Sequence, residues 1–181
     1  FVKSLLGDKI YRGWYRLSYN ILTFFSLIPI GYYLLIAPSD YLWRVPSPYS
    51  YSCYGFQFIG FLGLFISILQ SGAKPFLGLS QVSDYLAERD HSTQSGLGEN
   101  LVVDGLYRYI RHPLYTFCII IFWFNPVMTF NFFLFSAMST AYFLVGSEIE
   151  ERRLENDFGD AYVRYKQNVP RFIPSRLSPL G

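Results

Sequence analysis

The chain has 181 residues, of which 51% are hydrophobic, 20% aromatic and only 15% charged, with a net charge of +2. That is too apolar and too aromatic for an ordinary soluble domain of this length. A charge this small also gives no nucleic-acid signature, and the two cysteines, Cys53 and Cys118, lie in apolar segments without metal-ligand spacing.

The N-terminal stretch to Arg16 interleaves Lys3, Lys9, Arg12 and Arg16 with Tyr11, Trp14 and Tyr15. An apolar run follows at once, so this mixture reads as an interfacial segment. The chain starts at Phe1 rather than Met, so a preceding segment is expected, which the resemblance described below implies to be one more N-terminal helix. Residues 17–36 carry no charge and are long enough, at ~1.5 Å per residue, to cross a ~30 Å hydrocarbon layer. Pro29 is expected to kink that span. Ala37 to Ser52, with three prolines, Trp43 and several tyrosines, reads as a loop at the interface.

Residues 53–72 form the second span, with Gly55, Gly60 and Gly63 offering small faces for close helix packing. The one long polar stretch runs from Ala73 to Asn100 and contains Asp84, Glu88, Arg89, Asp90 and His91. Its segment 82–98 is the candidate lid.

Gly105-Leu-Tyr-Arg-Tyr-Ile-Arg-His-Pro-Leu-Tyr115 then sets two arginines, a histidine and three tyrosines against an apolar run. Pro113 suits the first turn of a helix, which puts Arg111 and His112 at its mouth, where N–H groups and the dipole favour an anionic group. The spans assigned here are 113–128 and 129–147, a hairpin broken at Asn125-Pro126, with Thr129 or Asn131 as the cap of the returning helix. From Ser147 the chain becomes charged, with Glu148, Glu150, Glu151, Arg152 and Arg153. Leu154, Phe158, Tyr162 and Tyr165 follow at helical spacing, so a C-terminal amphipathic helix is expected, with Gly159 its weak point.

The fold class read from this pattern is an all-α integral membrane protein with about four transmembrane helices in a single domain. Of 15 Lys and Arg residues, four spans leave only Arg44 on the opposite side. The N-terminal stretch, segment 73–112 and segment 148–181 therefore share the cytoplasmic face. There, a cationic helix mouth meets a carboxylate cluster, which suits a zwitterion. Each part also has a plainer reading: the acids as a solvated helix turn, His112 as a helix-start residue bonded to backbone, and Tyr107, Tyr109 and Tyr115 as an interfacial belt. Spacing alone gives a polar binding site at a membrane surface and no reaction.

Roughly the last 80 residues resemble the membrane methyltransferases that include isoprenylcysteine carboxyl methyltransferase and the phospholipid methyltransferases. The resemblance rests on Leu101-Val102, Gly105-Leu-Tyr107, Arg111-His-Pro-Leu-Tyr115, Glu150-Glu151 with Leu154, Phe158-Gly159, Tyr162, Tyr165 and Val169-Pro170. Phe76-Leu-Gly-Leu-Ser-Gln81, Phe122-Trp-Phe-Asn-Pro-Val-Met-Thr129 and Tyr11-Arg…Tyr15-Arg16…Tyr19-Asn20 look most like the NnrU and methanethiol S-methyltransferase branch.

The resemblance implies S-adenosylmethionine as methyl donor, with Asn100, Leu101, Val102, Tyr107, His112, Pro113, Tyr115, Glu150 and Tyr162 around it. It also implies Glu150 and Arg111 as the catalytic pair, membrane lipids as surroundings and no metal. One departure is Gly146, where the prenylcysteine enzymes have an arginine that meets the substrate carboxylate. A small thiol or lipid-like acceptor therefore fits better than a prenylcysteine. Two other readings are a catalytically silent membrane subunit that binds a partner complex, pigment or lipid, and a haem-dependent isomerase-like protein with His91 or His112 as axial ligand.

Overall fold

A computed structural model of the chain describes residues 36–71 and 101–174 without interruption, together with Ser18, Ile21, Leu22, Phe25, Ser26 and 28–34. The N-terminal stretch 1–16, the whole long polar segment (73–100, with the candidate lid 82–98, His91 and Asn100) and residues 175–181 lie outside the described residues. The chain divides into two compact units, one of residues 1–37 and 71–100, the other of residues 38–70 and 101–181. In the first, the described residues of the expected 17–36 span are helical, Pro29 included, and expose Ile21, Leu22, Phe25, Ile28 and Ile30.

The second unit begins with a short strand, β1 (Tyr41–Arg44), inside the stretch read as an interfacial loop. Helix α1 (Ser50–Gln70) follows and packs against α2 (Pro113–Trp123). A side chain at Gly60 would meet Ile121 and the Phe117 carbonyl, and one at Gly63 would meet the Phe117 ring, so these two glycines bring the backbones together. Gln57 adds a hydrogen bond from Nε2 to the Ile121 carbonyl, 3.0 Å. A side chain at Gly55 would meet nothing within 4 Å among the described residues, so the close packing expected for it is not seen there.

The third apolar segment is helical over only 11 residues and ends at Trp123. Pro126 lacks an N–H and disfavours helical backbone at Asn125. Residues Val127–Thr129 leave the helix and form β2, antiparallel to β1 with Tyr41 opposite Thr129 and Arg44 opposite Val127. Residues 113–128 are thus not one helix, and the protein is not wholly α-helical. Pairing with β1 satisfies backbone groups that the proline break releases.

Thr129 caps the returning helix, accepting from the Phe132 N–H at 3.2 Å; the Asn131 N–H bonds Ser39 Oγ instead. That helix, α3 (Phe130–Phe158), runs 29 residues without a break from the apolar segment into the charged one. Trp123 Nε1 donates to Thr140 Oγ1, and the Tyr115 and Phe143 rings stack at 5.0 Å, joining α2 to α3. Gly159, at φ +54°, ends α3. Helix α4 (Asp160–Asn168) then folds Tyr162 and Tyr165 inward with Val169, against Leu101, Leu154 and Phe158.

Among the described residues, α1 and α3 are the two helices long and apolar enough to cross a membrane. Their exposed faces carry Phe56, Phe58, Phe61 and Phe65 on α1 and Leu134, Met138, Tyr142 and Val145 on α3. Such surfaces are stable in a hydrocarbon solvent and costly in water.

Candidate active site

The site forms where α2 begins, because the chain arrives there tightly guided. Gly105 has φ +63°, and a side chain on it would collide with Gln70. Glycine is required on both counts. Gln70 Oε1 accepts the Leu106 N–H at 2.9 Å, tying the end of α1 to a 3-10 turn (Gly105–Arg108). The Tyr165 hydroxyl donates to the Tyr107 carbonyl, and Ile110 is buried. Past α4, the chain returns as a strap. The Arg111 N–H donates to the Pro170 carbonyl (2.9 Å) and the His112 N–H to the Arg171 carbonyl (3.1 Å). Thr116 Oγ1 donates to Phe172, 3.0 Å away. Pro113, the first residue of α2, is fully buried.

At this junction Glu151 is completely buried. Its Oε1 lies 3.0 Å from His112 Nε2 and 3.4 Å from Arg111 Nη2. Arg171 grips both oxygens, Nε to Oε1 and Nη2 to Oε2, each at 3.0 Å, and Lys166 Nζ is 3.3 Å from Oε2. One carboxylate thus meets four cationic or protonatable groups from three segments. The anion expected at the helix mouth is supplied by the protein itself.

Glu150, its neighbour, points elsewhere. Its Oε2 accepts the Tyr115 hydroxyl at 3.0 Å and lies 3.5 Å from His112 Nδ1, while the side chain stays 40% exposed. The His112 ring is held between two carboxylates and stacked on Tyr115 at 5.4 Å. Nε2 of the ring faces Glu151 and Nδ1 faces Glu150.

Two buried donors beside this cluster, Arg111 Nε and the Tyr162 hydroxyl, have no partner among the described residues. An orphaned buried donor is costly and rare, so the pair marks a place for an acceptor.

Burial pushes the Glu151 carboxyl up, but the Arg171 bond, the Arg111 charge and the His112 bond outweigh it and hold it below the ordinary range. For Glu150 burial likewise raises, and the bonds to His112 and Tyr115 bring the net shift down. Both are therefore carboxylates at neutral pH. Burial, then the nearby Glu151 charge, push the Tyr162 hydroxyl upward, so it stays a donor.

Of the residues expected from sequence, Arg111, His112, Pro113, Tyr115, Glu150 and Tyr162 converge here. Leu101 packs on the Tyr162–Tyr165–Val169 core, Tyr107 contributes its carbonyl to Tyr165, and Val102 is half-buried. Three residues were missed: Glu151 as the hub, and Lys166 and Arg171 as its partners. Their signal was charge complementarity between the acidic run and basic residues beyond the Gly159 break.

No family model matches the chain, and no solved structure does. Curated proteins do match. The chain is 34% identical over 185 residues to methanethiol S-methyltransferase 1 of Bradyrhizobium diazoefficiens, an alignment covering 97% of this chain and 63% of that protein. It is 30% identical over 182 residues to the methanethiol S-methyltransferase of Mycobacterium tuberculosis, covering 94% and 72%. It is 33% identical over 130 residues to the protein-S-isoprenylcysteine O-methyltransferase of Schizosaccharomyces pombe, covering 65% and 55%. The chain thus spans less than two thirds of the Bradyrhizobium relative's length.

Proposed function

The chain belongs to the methanethiol S-methyltransferase family of membrane proteins, and on that premise we propose that it transfers a methyl group from S-adenosylmethionine to a small thiol or lipid-like acceptor. The single observation that carries the reading is the pairing of opposites at the helix mouth. A carboxylate, Glu150, remains accessible while being oriented by Tyr115 and His112. Beside the same cluster lie two donors without a partner among the described residues, Arg111 Nε and the Tyr162 hydroxyl.

A donor molecule with an amino-acid end fits that chemistry. Arg111 and Tyr162 have hydrogens to give a carboxylate, and Glu150 has an oxygen to offer an ammonium or an acceptor's proton. Leu101, Val102, Tyr107, His112, Pro113 and Tyr115 complete the surroundings, and Asn100 is assigned to them by its place in the motif alone. S-adenosylmethionine supplies a methyl already activated on a sulfonium, so alignment and exclusion of water are the protein's main tasks. Glu150 orients the acceptor or takes its proton; a thiol with a pKa of about 8.5 needs only modest help. Arg111, held against Glu151, keeps the local charge balanced as the proton moves.

In this reading the chain crosses the membrane four times, at 17–36, at 53–72 (helix α1), through α2 with β2, and at 129–147. The polar ends face the cytoplasm, as the single Arg44 on the opposite side suggests. Lipids cover the aromatic outer faces, and an apolar acceptor enters from the bilayer.

The test is transfer of labelled methyl from S-adenosylmethionine to a panel of small thiols and lipid headgroups, using purified protein in detergent. The reading predicts saturable transfer to at least one acceptor, slowed about 100-fold in Glu150→Gln. A folded protein that binds the donor but labels no thiol or lipid would remove this acceptor class.

A further inference from the structure

The strap 169–172 crosses the mouth of α2 and is fastened there in two ways. Its carbonyls take the backbone N–H groups of Arg111 and His112 and the Thr116 hydroxyl. Its one arginine reaches across to α3, bonding both Glu151 oxygens with Nε and Nη2 and Glu148 with Nη2. Phe172 lies against the His112 ring, with centroids 5.8 Å apart. The fastening is non-local: Arg171 is 20 residues from Glu151, and Glu151 is 39 residues from His112.

We propose that Arg171 is a positioning residue, which latches the strap over the site and, through Glu151, fixes the His112 ring against Glu150. The inference deepens the methyl-transfer reading and rests on it for the consequence in donor binding. Glu151 has several cations near it, but only Arg171 binds it in a two-pronged fork. A fork fixes orientation as well as charge, whereas a lysine supplies a point charge with freedom to swing. With Glu151 fixed, its Oε1 holds Nε2 of His112, and the ring has one remaining direction for Nδ1, toward Glu150. Loss of the fork frees Glu151 to follow Lys166 or Arg111, and the imidazole loses its reference. Arg111 and His112, the donor-side residues, are also those whose backbone the strap holds. The effect should therefore fall on the methyl donor more than on the acceptor.

The chain has only two histidines, His91 and His112, so ring-labelled histidine gives an uncluttered nuclear magnetic resonance spectrum. The experiment compares the wild-type 181-residue chain, R171Q and R171K in detergent, with a His91→Asn variant to assign the signals. The proposal expects both Arg171 variants to shift the His112 ring resonances. Their affinity for S-adenosylmethionine should weaken at least tenfold, and the acceptor KM should stay within about twofold. R171K with wild-type ring signals and donor affinity overturns it, since any positive charge would then suffice. If the Arg171 variants do not fold, E148A removes only the brace outside the fork, the Arg171 Nη2 bond to Glu148. It should shift the same His112 signals in the same direction and weaken donor binding two- to threefold; unchanged signals overturn the proposal. A wild type that binds no donor sinks the methyl-transfer reading separately, and the His112 ring signals then decide the latch alone.

Discussion

Glu151 Oε1 sits 3.0 Å from Nε2 of His112, joining the C-terminal third of a 29-residue helix to the residue that precedes another. Around that contact, Arg111, Lys166 and Arg171 turn a run of acids into a buried ion network. The adjacent Glu150 is left accessible on the same helix, so one carboxylate builds the site and its neighbour works in it.

Breaking the network from its centre should be costly. Glu151→Ala takes the carboxylate from the buried Arg111 and one of two carboxylates from Arg171 and Lys166, which keep Glu148 and Glu155, and removal of one partner of a buried ion pair costs about 3–5 kcal/mol. Thermal unfolding in detergent should show a large loss for Glu151→Ala. For Arg152→Ala, whose partner Glu148 is exposed, the change should be small.

Acid should undo the same network. The Glu151 carboxyl lies below its ordinary value when folded, so its stabilisation is complete above about pH 4.3 and is lost as pH falls through the lower folded value. Unfolding midpoints measured from pH 7 to pH 3 should drop steeply at the acid end in wild type. The slope should flatten in Glu151→Gln, which has no proton to gain there.

Glu150 carries the reverse signature. It is partly exposed, so Glu150→Gln should leave the midpoint nearly unchanged while lowering turnover about 100-fold, the scale of a general acid–base contribution. Tyr115→Phe removes one hydrogen bond to it, worth about 1 kcal/mol, and should lower turnover only several-fold. Steady-state rates with matched unfolding curves separate the two.

Gly105→Ala should destabilise by more than about 1 kcal/mol, since the residue has positive φ and Gln70 fills the space a side chain needs. Adding Gln70→Ala should not restore the loss: it opens the space but removes the Leu106 hydrogen bond and leaves the backbone strain. Unfolding of the single and double variants measures both parts.

What the sequence made legible was local. Pro113 at the head of α2, Thr129 as a cap, Gly159 as a break and the Gly60–Gly63 face against Phe117 all follow from a residue's own backbone preference or size. Strand β1 was missed because four residues among prolines carry little pattern, and its partner β2 sits inside an apolar stretch that also reads as helix. The motif residues of the site were legible through resemblance. The links from Arg171 and Lys166 to Glu151 were not, because they depend on how α4 and the strap fold back after Gly159. Periodicity records which face a residue occupies, and it does not record which distant charge will meet it.

The most direct measurement is a calorimetric titration of detergent-purified protein with S-adenosylmethionine and S-adenosylhomocysteine, alongside His112→Ala. Saturable micromolar binding by the wild type, lost in the variant while the fold persists, is the predicted result. A folded wild type that takes up neither molecule would contradict the account at its centre.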